Sequence, residues 1–170
     1  MVEVRAATLD DVDALGRVHA ASWRVAYADL GPGFLATVEA TERAAVWERV
    51  LTNTAEHGDV FVSVADGELN GFVNIRRSRD PTAFETVGEV IALYVEPSAW
   101  STGAGRALMD TAVAELARQG FTEATLWVLD GNARARRFYE IAGWSPDGAT
   151  LSEEWRTAQV TEVRYRRPLP

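Results

Sequence analysis

The chain has 170 residues, a length suited to one domain over 1–170, and 47% of them are hydrophobic, enough for a packed core. Its 25 acidic residues outnumber 17 basic ones, all arginine, for a formal charge of −8; cysteine and lysine are absent and the histidines are two, His19 and His57. These absences exclude disulfides, a thiolate nucleophile, Cys-ligated zinc, a lysine Schiff base and a lysine-bearing phosphate loop, and the net charge disfavours nucleic acid as a partner.

Residues 2–7 alternate apolar and charged side chains and predict a strand. Thr8, Leu9, Asp10 and Asp11 open a helix over 10–28, with acids at the positive end of its dipole and Val12, Leu15, Val18 and Trp23 roughly on one side. Gly31, Pro32 and Gly33 break it, and a second helix over 34–52 carries Leu35, Val38, Val46 and Val50. Runs at 60–65 and 69–77 flank Asp66–Gly67 as a hairpin. Residues 87–96 form a nearly continuous apolar run, as in a strand buried on both faces, which Pro97 ends. A helix over 103–119 stops at Gly120, a strand follows at 125–129, and a short helix over 132–142 ends at Gly143. Residues 144–150 and 157–167 predict a last antiparallel pair around a loop at 152–155. The order is βααβββαβαββ, one mixed α/β domain. No run approaches the roughly 18 apolar residues of a membrane span and no secretory h-region opens the chain, so the expectation is a cytoplasmic protein without a membrane partner.

Two segments carry chemistry. In the first, a buried strand runs through Pro97 into a turn of small residues and then a helix. A helix start presents unpaired amides and a positive dipole end, which suit phosphate. Gly103 and Gly105 let backbone approach a ligand, and Arg106 adds a charged donor. A plain turn satisfies the same pattern. A dinucleotide fingerprint would need a glycine where Leu108 stands. In the second segment, Asn132 caps a helix on which Tyr139, two turns on, shares a face with Asn132 and Ala135, while Phe138 and Ile141 can take the core face.

Together, LYVEP (93–97), WSTGAGRAL (100–108), LWVL (126–129) and N-x-x-A-x-x-F-Y-E-x-x-G-W (132–144) resemble the GCN5-related N-acetyltransferases, the GNAT family. A looser likeness adds the opening strand and helix, Trp23–Tyr27, and the tail from Glu162 to Leu169. The resemblance implies the acyl-CoA N-acyltransferase fold, a mixed seven-stranded sheet flanked by four helices with splayed central parallel strands. It implies transfer of an acetyl group from acetyl-CoA, as co-substrate and without a metal, to a small-molecule or peptide amine. By position, the strand segment Leu93, Tyr94 and Val95 would meet the pantetheine arm through the backbones of Leu93 and Val95. The turn Trp100, Ser101, Thr102, Gly103, Ala104, Gly105 and Arg106 would hold the pyrophosphate, with the amides from Ser101 onward. Asn132 would contact the arm, and Tyr139 would protonate the departing thiolate. The turn departs from the family's Q/R-x-x-G-x-G/A at its first position, Trp100, and Arg106, Arg134, Arg136 or Arg137 are the available replacements for that charge.

Glu89 is the base suggested by its place on the central strand, its parity matching Ile91, Leu93 and Val95. A charge at a solvated strand end is the alternative. Trp23 and Tyr27 fall where this family lines its acceptor site. Arg76, Arg77 and Arg79 predict a solvated edge, and Arg164, Arg166 and Arg167 a shared surface face. A homodimer through late strands is compatible with this reading. A non-catalytic acyl-CoA sensor and a nucleotide-binding module of another class are the rival functions.

Overall fold

A computed structural model describes residues 2–155 and 158–170. Strand β1 (Glu3–Ala6) leads into a 3-10 turn at Leu9–Asp11. There the Asp11 carboxylate accepts from the Thr8 N–H at 2.8 Å and from Arg5 at 2.8 Å, which closes the helix entry. The hydrogen-bonded Arg5 guanidinium also lowers the Asp11 pKa below the ordinary carboxylate value.

Helix α1 (Val12–Ala26) follows, then the single turn α2 (Pro32–Leu35), α3 (Ala40–Thr52) and the single turn α4 (Thr54–His57). The helix expected over 34–52 is thus split. Thr37 Oγ1 donates to the Phe34 carbonyl at 2.7 Å, and Glu39 is extended (φ −105°, ψ 133°), so the segment turns before α3 starts. Gly16 lets α1 approach α3: a Cβ there would stand 2.5 Å from the Ala40 carbonyl oxygen.

Strands β2 (Asp59–Ala65), β3 (Glu68–Arg77) and β4 (Val87–Val95) form an antiparallel meander. Helix α5 (Ala104–Arg118), β5 (Glu123–Leu129) and α6 (Ala133–Ile141) come next. The chain closes with the hairpin of β6 (Ser145–Trp155) and β7 (Ala158–Pro168). The expected loop at 152–155 is strand instead, with Ser152 opposite Thr161 and Trp155 opposite Ala158. Its sequence carries no alternation because nearly all of its residues are exposed, and pairing with β7 holds the strand. The start expected at Thr157 lies outside the described residues.

One seven-stranded sheet results, in the order β1-β2-β3-β4-β5-β7-β6, with β4 and β5 parallel and every other pair antiparallel. Helix α5 covers one face through Leu108, Met109, Ala112 and Leu116, all fully buried. Helices α1 and α3 cover the other over β2 and β3, through Leu15, Val18 and Trp47 against Val62 and Phe72. Among the described residues no helix is long and apolar enough to cross a membrane.

Candidate active site

The site begins with a slip in strand register. On β3, Asn74 faces Ala92 and Ile75 faces Val90, so Ile91 has no counterpart. An extra residue bends its strand. Strand β4 pairs with β5 only over Val87–Val90, and beyond that the two part. Glu96 donates its N–H to the Asn70 carbonyl on β3 at 2.8 Å. By alternation, the polar backbone groups of Leu93 and Val95 point the other way, into the gap. The Val95 carbonyl is filled within the chain, by the Trp100 indole N–H at 2.8 Å and the Ser22 hydroxyl at 3.0 Å. The Val95 N–H and both backbone groups of Leu93 therefore form the open edge. They border a cleft of about 1060 Å³ that runs from the α5 turn to β6 and β7.

At one end of the cleft lies the turn before α5. Ser101 (φ +65°) and Gly103 (φ +96°) are both left-handed. Such a turn gathers backbone N–H groups into an anion-binding concavity at the helix start. A Cβ on Gly103 would meet nothing within 4 Å, so its backbone angle, not crowding, calls for glycine. At Gly105 a Cβ would sit 3.6 Å from Phe138 and Val95, an ordinary contact. The arginines divide clearly. Arg106 is bound to Asp110 at 2.9 Å, and Arg136 to Asp130 and Tyr165. Arg134 instead lies over the Trp100 ring, 4.1 Å from its centroid, and both it and Arg137 line the cleft. An open strand edge, an amide-rich turn and two arginines, Arg134 and Arg137, that form no ion pair among the described residues suit an extended anionic ligand with amide groups along its arm.

On α6, Asn132 caps the helix, its Oδ1 accepting from the Ala135 N–H at 3.1 Å. Tyr139 is buried yet lines the cleft. Burial pushes its phenol pKa well above the ordinary value, and Tyr94 adds to the shift. The inward stripe is Ala135, Phe138, Tyr139 and Ala142. Ile141 falls outside that stripe and is 66% exposed, so the expected core face keeps Phe138 and loses Ile141.

The other end of the cleft is aromatic and acidic. Trp23 stacks on Trp155 (5.7 Å, 9°), and the Tyr27 hydroxyl meets that of Tyr94 at 3.4 Å. Trp23 and Tyr27 thus line the cleft together. His19 stacks on Tyr94 at 4.8 Å. Trp47 donates to its Nδ1 at 3.1 Å, which leaves the proton on Nε2, and burial, with Arg43 adding, lowers its pKa to about 3. His19 is therefore a neutral wall residue.

Glu89 is buried, not solvated, and the slip at Ile91 turns it to the face of Ala92 and Tyr94 instead of the expected face of Leu93 and Val95. Its Oε1 accepts from Arg79 Nη2 at 2.8 Å and Nε at 3.3 Å, and its Oε2 from the Arg79 backbone N–H at 2.8 Å. Arg79, expected on a solvated edge, lines the cleft while Glu89 does not. Arg164 and Arg166 share a face and bind Asp80, Asp147 and Glu123, whereas Arg167 lies opposite and donates to the Ala142 carbonyl.

Two acidic cleft residues escape sequence reasoning, Glu153 and Glu162. Glu162 faces Leu129 on β5 and Leu151 on β6, beside Glu153. Burial raises its pKa to about 7; Glu153 and Glu89 add to the rise and Arg79 opposes it. The alternation of 161–167 was a signal for the facing of Glu162. Its partner lay in the stretch read as a loop.

The family model described as Acetyltransferase (GNAT) family matches residues 23–144. An uncharacterised N-acetyltransferase of Archaeoglobus fulgidus is 32% identical over 143 residues, 81% of this chain and 89% of that one. A mycothiol acetyltransferase of Geodermatophilus obscurus is 39% identical over 75 residues, 44% of this chain and 24% of that protein. Among solved structures, the PaiA N-acetyltransferase of Thermoplasma acidophilum in complex with coenzyme A aligns over 99% of both chains, with a TM-score of 0.76 at 18% identity, a likeness of fold.

Proposed function

The chain belongs to the acetyltransferase (GNAT) family, and from that premise we propose that this acetyl-CoA-dependent enzyme acetylates a primary amine by direct attack within a ternary complex. The observation that carries this reading is the parting of β4 from β5, which opens the Leu93–Val95 edge onto a cleft lined by Tyr139. Acetyl-CoA supplies an already activated thioester, so no nucleophilic side chain is required.

In this reading the Leu93 and Val95 edge aligns the pantetheine arm, and the Asn132 side-chain N–H groups, not used in capping, add to it. The amides from Ser101 to Arg106 hold the pyrophosphate. The Val95 N–H polarises the thioester oxygen, and the Tyr139 phenol gives its proton to the departing sulfur. An ammonium acceptor must also lose a proton, and the carboxyls of Glu89 and Glu162 both face this side of the sheet. Trp23, Tyr27 and Trp155 beside these acids favour a cationic amine. The mycothiol relative matches over only a quarter of its length, so its acceptor is not carried over.

Calorimetry should show binding of acetyl-CoA and not of NAD or ATP. Transfer to spermidine, lysine, tyramine, kanamycin and an alanyl peptide can be read as thiol release, to which this cysteine-free chain adds no background. Binding of NAD or ATP in place of acetyl-CoA overturns the reading. Binding with no transfer to any amine would instead identify an acyl-CoA sensor.

At the phosphate end, Arg134 on Trp100 replaces the charge missing from the turn. Arg134→Ala is expected to weaken acetyl-CoA binding by about tenfold or more, since a hydrogen bond to a charged group contributes about 1.5–3 kcal/mol. Arg106→Ala should cost less in the same titration, because that guanidinium is already committed to Asp110.

A further inference from the structure

Proton transfer from the amine needs an acceptor with a free lone pair facing the cleft. Glu89 meets that requirement poorly: three N–H donors of Arg79 take three of the four lone pairs on its two oxygens, and the carboxyl is buried behind Arg79 and does not line the cleft. Glu162 does line it. The register places Glu162 across from Leu129, the last residue of β5, which packs with Ala20 of α1 and with Trp23 and Trp155, the aromatic end of the cleft. Tyr27, Tyr94 and Tyr139 line the same cleft as Glu162, so these four groups border one volume. Beside it, Glu153 is steadied by the Trp155 indole N–H at 2.6 Å.

We propose that Glu162 takes the proton of the incoming ammonium, with Glu153 on the neighbouring strand as its partner and the Glu89–Arg79 pair as a positioning element behind them. The proposal rests on the acetyl-transfer reading above. The balance is simple. The ammonium gives one proton to the Glu162 carboxylate and the freed nitrogen forms the bond to the carbonyl carbon. The carbon–sulfur bond breaks, sulfur takes the Tyr139 proton, and the second nitrogen proton returns to the Tyr139 oxygen. Glu162 then releases its proton to water through the open cleft.

The groups facing Glu162 are Glu153 from β6, Glu89 from β4, Arg79 from the loop after β3, and the phenols of Tyr27 and Tyr94. Burial and the two carboxyls hold its pKa near 7 against the pull of Arg79, so it gains competence as pH rises through about 7. Turnover of the fastest amine in the panel should therefore show an acidic limb near neutrality. Glu162→Gln should lower kcat about 10²-fold and abolish the limb, with acetyl-CoA binding kept and Glu162→Asp restoring part of the rate. Glu153→Gln removes one raising charge, so the limb should move to lower pH. A carbon-13 titration of the glutamate side chains in the full chain should show one midpoint near 7, absent in Glu162→Gln and lowered in Glu153→Gln. The Glu153 variant leaves Glu162 in place and decides the matter should Glu162→Gln not fold. Transfer that keeps both its rate and its limb in Glu162→Gln, or a limb unmoved in Glu153→Gln, overturns this proposal alone. No transfer by the unaltered chain overturns the reading beneath it as well.

Discussion

Tyr139→Phe is expected to lower kcat by about 10²- to 10⁴-fold, the span of a lost general acid, with little change in the dissociation constant of acetyl-CoA. The substitution removes one oxygen from a buried ring and leaves the packing against Phe138 and Tyr165 in place. Among the described residues that hydroxyl makes no hydrogen bond, so no partner is orphaned and the fold should tolerate the change. Burial, with Tyr94 adding, holds the phenol pKa above its ordinary value, so the acid is protonated throughout the working range. The alkaline side of the kcat profile should therefore carry no limb from Tyr139, in contrast to the acidic side. Steady-state kinetics on the purified variant decide it: unchanged turnover across pH removes Tyr139 from the role of acid.

Phe72→Ala is expected to destabilise the protein by about 3–5 kcal/mol, the range for deleting a buried ring. Phe72 is fully buried between the sheet and α1 and α3. It meets Trp47 at 4.6 Å, Tyr94 at 5.6 Å and His19 at 5.9 Å, each in an edge-on geometry. Those rings line the aromatic end of the cleft, and close packing leaves the cavity with nothing to fill it. At about 2–4 °C per kcal/mol for a chain of this size, thermal denaturation should show a drop of roughly 6–20 °C. Function should split: the acceptor KM rises as the His19 and Tyr94 wall loosens, while acetyl-CoA binding at the α5 turn changes little. A Tm within a degree of the unaltered chain would mean that this wall is held by other contacts.

Most elements were legible in the sequence because their causes are local. Helix α5 reads from its apolar stripe and the glycines at both ends, and β4 from its unbroken apolar run. Asn132 and Tyr139 read from helix spacing, and the structure puts both in the cleft. The split of α2 from α3 was not legible, because Thr37 and Glu39 depart from helix through a side-chain bond that hydrophobic spacing does not encode. The extent of β6 was hidden for a related reason. Nearly all of its residues are exposed, so pairing with β7 and not burial defines it.

What the sequence determined by itself was the order of elements, the anion-suited turn before α5 and the Asn132–Tyr139 helix, because backbone periodicity and turn chemistry act over a few residues. What only the tertiary structure decided was the direction in which the acids point. The unmatched Ile91 slips the register by one residue, and a slip of one moves a side chain to the other face of the sheet. That turned Glu89 away from Leu93 and Val95 and placed it under Arg79. The pairing of β5 with β7 and of β7 with β6 then carried Glu153 and Glu162 to the cleft, beside aromatic rings from α1 and β4. Proton affinity depends on burial and on charges across space, so it arises only once distant strands meet.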